Sequence, residues 1–325
     1  MFELAEMLPP QLAGTRLWPL MRQAGITRAV GTFYGAEQLR DGEKPWDYLP
    51  LLRLKQQYMN YGFRLDALED RPPLNLAKRG LPGRDDEIDQ VITLIENMGR
   101  LDIPVWCYQW MADFDWLRTS TTIPSRGGST VSGFDRALIE NAPEVAGGPV
   151  SEATLWDSLG YFLERVLPAA ERAGVKLAMH PDDPPLSPLR GVSRIMSSLA
   201  GFDRLLELSP SPSNAITFCQ GNFRLMTEGL PAAIHRFGDN GKIAFVHMRD
   251  VRGTAEKFEE TWHDDGPTDM AACFEAYRDI GFEGVIRPDH VPSLVGEENE
   301  VAGYATLGRL FAVGYLRGLQ HATFR

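Results

Sequence analysis

The sequence has little cysteine and no long apolar run. Its three cysteines, Cys107, Cys219 and Cys273, are too few and odd in number for a disulfide framework, which argues against a small disulfide-stapled scaffold. No apolar segment reaches the roughly 20 residues that a membrane-spanning helix needs. No basic-then-apolar segment at the N-terminus indicates a signal peptide. The sequence therefore predicts a soluble, cytoplasmic protein without a membrane partner.

Positive charge is scarce relative to negative charge. Lys and Arg total 33 against 44 Asp and Glu, which gives a net charge of −11. The basic residues are scattered singly, whereas nucleic-acid binding requires them to cluster. The composition therefore excludes a nucleic-acid partner, while a local cationic pocket for a small anion stays compatible with it.

Short apolar runs rich in Val, Ile and Phe recur along the chain and predict strands that are buried on both faces. They cover residues 26–34, 61–68, 103–110, 175–181, 215–222, 243–250 and 284–290. Helix-like segments lie between them at 85–100, 151–173 and 270–280. Because strands alternate with helices, the pattern predicts βαβ units and a parallel sheet.

The fold class expected from this pattern is α/β, as a (β/α)8 TIM barrel. Seven strands are clear in the sequence, and an eighth comes either from residues 1–8 or from residues 257–263. A doubly wound open sheet is the alternative, but no GxGxxG or P-loop motif follows a strand, so we favour the barrel. We expect one domain over residues 1–325, with a Gly-, Ser-, Thr- and Pro-rich loop or insertion at about 112–150 over the barrel mouth.

Four successive predicted strands end in side chains that can bind a metal. These are His180, Cys219, His247 and Asp289, and the C-terminal ends of barrel strands share one mouth. Alone, each has a structural interpretation: a hydrogen-bonded His, a small core Cys, a turn or cap Asp. Four of only six histidines lie in or beside strand ends, however. This coincidence predicts one shared divalent metal site.

The donor types narrow the choice of metal. Two imidazoles, a thiolate and a carboxylate suit a borderline divalent ion. A closed tetrahedral cage would be a structural zinc site. A catalytic site needs further positions open to substrate oxygens, which favours Mn²⁺ or Fe²⁺ over Zn²⁺.

Other ionisable residues flank the proposed ligands. Arg249 and Arg287 could hold a substrate carboxylate through forked hydrogen bonds. His290 could act as a general acid or base, provided that the backbone bends after Asp289. The candidate substrate-binding set also includes Asp182, Asp183 and His263. The two aspartates could equally cap the following helix.

Several long motifs resemble those of mannonate dehydratases. They are CYQWMADFDWLRT (107–119), AMHPDDPP (178–185), TFCQGN (217–222), FVHMRDV (245–251), WHDDGPTDM (262–270), IRPDHVP (286–292) and GYATLGRLFAVGYLRGL (303–319). The resemblance covers most of the chain from about Gly80 onward.

This resemblance implies a xylose isomerase-like TIM barrel with a Mn²⁺ or Fe²⁺ centre, and a hydro-lyase that converts D-mannonate to 2-dehydro-3-deoxy-D-gluconate. The family's metal ligands fall on His180, Cys219, His247 and Asp289, and its catalytic His and Tyr on His290 and Tyr304. The resemblance also suggests a homo-oligomer.

The first quarter of the chain departs from the family pattern. The Phe-Arg-Trp stretch of the family's first strand is not visible in residues 1–10, and LEDRPP (68–73) replaces a His-Glu pair. The Thr-Gly-Ser that follows the family's Cys ligand becomes Gln-Gly-Asn at 220–222. We therefore expect an intact metal site with an altered substrate-facing wall.

Two alternative functions stay open at this point. The first is a metal-dependent sugar isomerase or epimerase on the same barrel, which would act on free sugars. The second is a non-catalytic barrel with structural zinc, which would bind the ion stoichiometrically and turn over no substrate.

Overall fold

The computed structural model describes residues 2–324, and it confirms the TIM barrel. The eight parallel strands of the closed barrel, numbered along the whole chain, are β1 (Glu3–Met7), β2 (Arg28–Gly31), β3 (Arg64–Leu68), β4 (Val105–Gln109), β7 (Lys176–His180), β8 (Asn214–Cys219), β9 (Ile243–Met248) and β12 (Val285–Pro288). The eighth barrel strand is therefore β1, the first of the two predicted choices. It pairs with β2 on one side and with β12 on the other, which closes the barrel.

The second predicted choice is also a strand, but it lies outside the barrel. An antiparallel sheet, which we call the accessory sheet, contains β5 (Ser120–Pro124), β6 (Thr130–Asp135), β10 (Val251–Thr254) and β11 (Lys257–Glu260). Its order is β10-β11-β6-β5, so β6 from the segment after β4 pairs with β11 from the segment after β9. The stretch at 112–150 thus contains two strands as well as loops.

Helices connect the barrel strands. They are α1 (Leu17–Gln23), α2 (Tyr48–Asn60), α3 (Asn75–Arg79), α4 (Arg84–Arg100), α5 (Glu152–Ala173), α6 (Leu199–Leu208), α7 (Gln220–Met226), α8 (Leu230–Gly238), α9 (Met270–Asp279) and α10 (Thr306–Thr323). The three predicted helices agree with α4, α5 and α9. The predicted strands are longer than the observed ones, and 215–222 in particular extends into a helix, because α7 begins directly after Cys219.

Local sequence explains where the longest helix begins and ends. The Ser151 hydroxyl accepts a hydrogen bond from the Thr154 backbone amide, which caps the first turn of α5. Gly174 ends the helix with a φ of 68°, a left-handed conformation that costs glycine little.

Two apolar layers position the site. Mostly small and medium side chains fill the barrel interior, among them Ala5, Ala67 and Ala178, while a larger cluster lies between the strands and the surrounding helices. Since the barrel is packed below, the polar strand ends collect at its mouth. None of the helices between residues 2 and 324 combines the length and the apolar character of a membrane span.

Candidate functional site

The four proposed metal ligands meet at the mouth of the barrel. His180 and Cys219 are the last residues of β7 and β8, His247 is the penultimate residue of β9, and Asp289 directly follows β12. Cys219 and Arg287 are both register partners of His247, which places these strand ends at one level. The barrel topology therefore converts separation in sequence into proximity.

The distances between the donors fit one ion. Donor atoms of His180, Cys219 and His247 all lie within 4.8 Å of one another. Oδ2 of Asp289 lies 3.8 Å from Sγ of Cys219 and 3.9 Å from Nδ1 of His247. Nδ1 of His180 is 2.7 Å from the carbonyl oxygen of Pro181, so a proton on this nitrogen leaves a lone pair on Nε2 for a metal. The residues present thus fit a divalent cation bound by N, S and O donors.

A second donor group shares His247 and includes Glu69 and Cys107. It fits a metal less well. Arg287 binds the Glu69 carboxylate through two nitrogens, at 2.7 and 3.0 Å, so that charge is already matched. Burial, together with the nearby Glu69 charge, raises the pKa of Cys107 well above its usual range, which disfavours the thiolate.

His290 faces the same cavity as Asp289, because the backbone bends between them. Its φ of 28° lies in the left-handed region, and both residues line the cavity. Nδ1 of His290 lies 2.9 Å from Oε1 of Glu260, the last residue of β11. Arg118 donates to the same Glu260 oxygen at 2.7 Å. The accessory sheet and the loop before it thus orient the imidazole.

Glu260 and Asp289 keep their negative charge in this buried setting. Burial alone would raise the pKa of Glu260, but Arg249, His290 and Arg118 lower it to about 2. Burial also opposes ionisation of Asp289, yet His290, Arg287 and His247 hold its pKa well below the usual range. The mouth therefore combines fixed carboxylates with cationic neighbours.

Tyr304 lies beside Asp289 and His290 on the cavity wall. Its hydroxyl donates to Oδ1 of Asp289 at 3.2 Å, and its ring lies edge-on to His290 with the ring centres 5.4 Å apart. Burial and the Asp289 charge raise the pKa of Tyr304 well above its usual range, so the phenol keeps its proton.

The predicted substrate-binding residues separate into two groups. Arg287 and Asp183 lie on the cavity wall, but both are paired, Arg287 with Glu69 and Asp289, and Asp183 with Arg118 and Arg249. The other three, Arg249, Asp182 and His263, are buried and are not among the residues that line the cavity.

Contacts inside the protein account for that second group. Asp182 accepts a hydrogen bond from the backbone amide of Met196 at 2.7 Å. Nε2 of His263 lies 2.7 Å from the carbonyl oxygen of Met248. Arg249 contacts Asp183, Glu260 and Asp289, and its Nε also lies 3.3 Å from Sγ of Cys219. These contacts order the loops and the proposed metal ligands.

The sequence reasoning missed several residues at the mouth: Glu69, Arg71, Trp116, Arg118 and Glu260. The first three line the cavity, which has a volume of about 170 Å³. The Trp116 ring lies over His290, with the ring centres 5.6 Å apart. The motif CYQWMADFDWLRT contains Trp116 and Arg118, so a signal for these two was present but was not assigned to the site.

Comparison with known families gives a consistent match along the chain. A family model described as D-mannonate dehydratase (UxuA) matches residues 18–147 and 145–325. The mannonate dehydratase of Thermotoga maritima is 34% identical over 92% of this chain and 91% of its own length. Mannonate dehydratase 2 of Halalkalibacterium halodurans is 32% identical over 85% of this chain and 88% of its own.

Solved structures agree with these matches. The crystal structure of mannonate dehydratase from Streptococcus suis serotype 2 matches with a TM-score of 0.91 and 30% identity, covering 100% of this chain and 95% of that chain. An L-ribulose 3-epimerase structure matches with a TM-score of 0.63 and 14% identity, covering 99% of this chain and 96% of that chain. At that low identity, the second match shows the shared barrel fold alone.

Proposed function

This chain belongs to the D-mannonate dehydratase (UxuA) family, and from that premise we propose that it dehydrates D-mannonate to 2-dehydro-3-deoxy-D-gluconate. One observation carries the proposal to the level of residues. His290 and Tyr304 line a single cavity together with His180, His247 and Asp289. A metal site, a proton acceptor and a proton donor thus face one space, as a hydro-lyase of sugar acids requires.

His180, Cys219, His247 and Asp289 would hold the metal, which we propose is Mn²⁺ or Fe²⁺. When bound, such an ion acts as a Lewis acid towards substrate oxygens. Arg249 supports this set, since its Nε lies 3.3 Å from Cys219 Sγ and 3.1 Å from Asp289 Oδ2.

We assign His290 as the base that removes the proton from C2, the carbon next to the carboxylate. A proton on Nδ1 satisfies the 2.9 Å contact with Glu260 and leaves the lone pair on Nε2. The fixed carboxylate then stabilises the imidazolium that forms when Nε2 accepts the substrate proton. The electron pair of the C2–H bond becomes the C2–C3 double bond.

Tyr304 is the proton donor to the departing hydroxyl in this scheme. Its raised pKa keeps the phenol protonated at neutral pH, and hydroxide is a far stronger base than phenolate, so the proton moves readily once the C3–O bond breaks. Water leaves, and the enol that remains tautomerises to the 2-keto-3-deoxy acid: C3 takes up one proton and the hydroxyl on C2 releases one. These two transfers offset the proton gained by His290 and the proton given up by Tyr304. Atoms and charges balance without a redox cofactor.

The test uses the full-length protein loaded with Mn²⁺ and incubated with D-mannonate and its epimers in D2O. Proton NMR would detect a 2-keto-3-deoxy acid that carries deuterium at C3. His290→Asn and Tyr304→Phe proteins serve as the matched inactive variants. If every aldonate stays unchanged, or if only an epimer without loss of water forms, the dehydratase proposal is wrong. A homo-oligomeric assembly stays a prediction that the same preparation can test by light scattering.

A further inference from the structure

A sugar acid that enters this cavity loses part of the hydration of its carboxylate, and a cationic side chain on the cavity wall would compensate for part of the loss in addition to the proposed metal. Among residues 2–324, the cationic side chains on the cavity wall, histidines aside, are Arg71 and Arg287. Recognition of the carboxylate by a side chain therefore depends on which of these two guanidinium groups can exchange its present partner.

Arg287 is already committed to protein carboxylates. Its Nε and Nη2 donate to Glu69 at 2.7 and 3.0 Å, and its Nη1 donates to Asp289 at 2.9 Å. Only 3% of the side chain is exposed. Separating such a buried pair would leave an uncompensated charge, which makes exchange with a substrate carboxylate unfavourable. Arg249, which the sequence also suggested, is fully buried and contacts Asp183, Glu260 and Asp289.

Arg71 is in a different state. Its side chain is 29% exposed and contacts Asp115 through Nη2 at 2.7 Å, and the Asp115 side chain is itself 47% exposed. Exposed pairs of this kind contribute little to stability. Arg71 can therefore change partner at small cost.

The backbone that carries Arg71 is fixed by hydrogen bonds, although its side chain is partly exposed. The Asp70 carboxylate accepts from the backbone amides of Arg71 and Phe33, at 2.9 and 3.0 Å. Trp106 donates from its indole nitrogen to the carbonyl oxygen of Asp70 at 2.8 Å. A fixed backbone that carries a partly exposed guanidinium suits a residue that binds a ligand entering the cavity.

Arg71 also lies where the active-site cavity meets its neighbour. Asp70, Arg71, Met111 and Asp115 line both the catalytic cavity and an adjoining cavity beside α3. The Arg71–Asp115 pair thus stands between the two spaces, and a substrate that passes it meets the guanidinium.

We infer that Arg71 is the residue that recognises the substrate carboxylate, exchanging its exposed partner Asp115 for the sugar acid. The inference rests on the proposed function, because it takes an aldonate as the ligand. Arg71 binds and does no chemistry, so its loss should weaken substrate binding much more than turnover. Asp115 competes for the same guanidinium, so its neutralisation should act in the opposite direction.

The experiment compares KM and kcat for D-mannonate in wild-type, Arg71→Gln, Arg71→Lys and Asp115→Asn proteins. We expect KM to rise about 10- to 100-fold in Arg71→Gln, the scale of one lost charge-assisted hydrogen bond, with kcat within a few-fold of wild type. The KM of Arg71→Lys should lie between those of the wild type and Arg71→Gln, because lysine keeps the positive charge but loses the two parallel hydrogen bonds of a guanidinium. Asp115→Asn should lower KM.

Arg136→Gln is the matched control. Arg136 pairs with Glu256 in an exposed ion pair of similar length, 2.8 Å, away from the cavity, so the variant removes one positive charge without touching the site. An unchanged KM in Arg71→Gln, a fall confined to kcat, or a raised KM in Asp115→Asn would overturn the inference. Calorimetric titration of D-mannonate into the inactive His290→Asn protein, with and without Arg71→Gln, measures the same loss of binding without turnover. Absence of turnover in the wild type contradicts the proposed function instead.

Discussion

Nδ1 of His290 lies 2.9 Å from Oε1 of Glu260, a carboxylate that belongs to the accessory sheet rather than to the barrel. The proposed base and the group that orients it therefore reside on separate sheets. The same Glu260 oxygen accepts from Arg118 at 2.7 Å and from Arg249 at 2.5 Å. Correct placement of the imidazole thus depends on how the accessory sheet docks over the barrel mouth.

Glu260→Gln should lower kcat about 10- to 100-fold, because the amide no longer stabilises a positive charge on His290. The change should affect KM much less. Glu259→Gln is the control, since the neighbouring carboxylate pairs with exposed Arg252 at 3.3 Å. Steady-state kinetics on both variants checks the expectation, and equal effects at the two positions would contradict it.

Cys219→Ser should reduce bound metal strongly, because serine replaces a thiolate ligand with a hydroxyl that does not ionise readily. Cys107→Ser should retain the metal, since Cys107 belongs to the second donor group, with Glu69, which fits an ion less well. Metal analysis of the two purified proteins after dialysis decides between the groups. Loss of metal in Cys107→Ser with retention in Cys219→Ser would place the ion at the second group.

Glu6 should make the folded state less stable as pH rises from about 4.5 to about 7. Burial raises the pKa of this carboxyl from 4.5 to about 7, against the opposing effect of Arg309 on α10 and Arg287 on β12; Asp289 adds to the rise. The unfolded chain releases the proton near 4.5, so in this window the folded state binds more protons and stability falls with pH.

Glu6→Gln removes this titration. The wild type should therefore lose about 3 kcal/mol of unfolding free energy relative to Glu6→Gln across the window. Urea denaturation of both proteins at about pH 5 and about pH 8 measures the difference. Parallel pH dependences would show that the pKa of Glu6 is the same in the folded and unfolded states, and would contradict this prediction.

Gly308→Ala should disturb the segment between His290 and Tyr304. A methyl group on Gly308 would collide with the carbonyl oxygen of Pro292, which lies two residues after His290. We expect a lower melting temperature together with a lower kcat.

Gly314→Ala provides the control in the same helix. Nothing lies within 4 Å of a methyl group at this position, and alanine favours a helix over glycine by about 1 kcal/mol. Gly314→Ala should therefore be neutral or stabilising, with unchanged kcat. Thermal unfolding and steady-state kinetics measure the melting temperature and kcat of both variants. Equal values in Gly308→Ala and Gly314→Ala would refute the packing argument.

The barrel and the convergence of the four proposed ligands could be predicted because both depend on regular elements. Continuous apolar runs predict buried parallel strands, and the topology then brings residues such as His180 and Cys219 to one mouth. The bend at His290 was also foreseeable as a requirement, since strict alternation would have turned its side chain away from Asp289. The observed φ of 28° at His290 meets that requirement.

The partners of the charged residues could not be predicted in this way. Arg249 is followed by an acidic residue and looks free in the sequence, yet it binds Asp183 and Glu260 from distant segments. The accessory sheet escaped notice for the same reason, because β6 pairs with β11, more than a hundred residues further along the chain. The periodicity of apolar residues predicts individual strands and helices, whereas such contacts depend on how loops from distant parts of the chain pack against each other.

The pairing of β1 with β12 has a consequence for how the protein folds. Glu3 is the register partner of Val285, so the barrel closes through a contact between distant parts of the chain. Contacts of such large sequence separation form slowly, because the entropy of closing the intervening loop must be lost first. We expect β1 and β12 to pair late in folding, after the local βα units have formed. Strand β12, which completes that pairing, also leads into Asp289 and His290, so catalytic competence should emerge as one of the final events of folding.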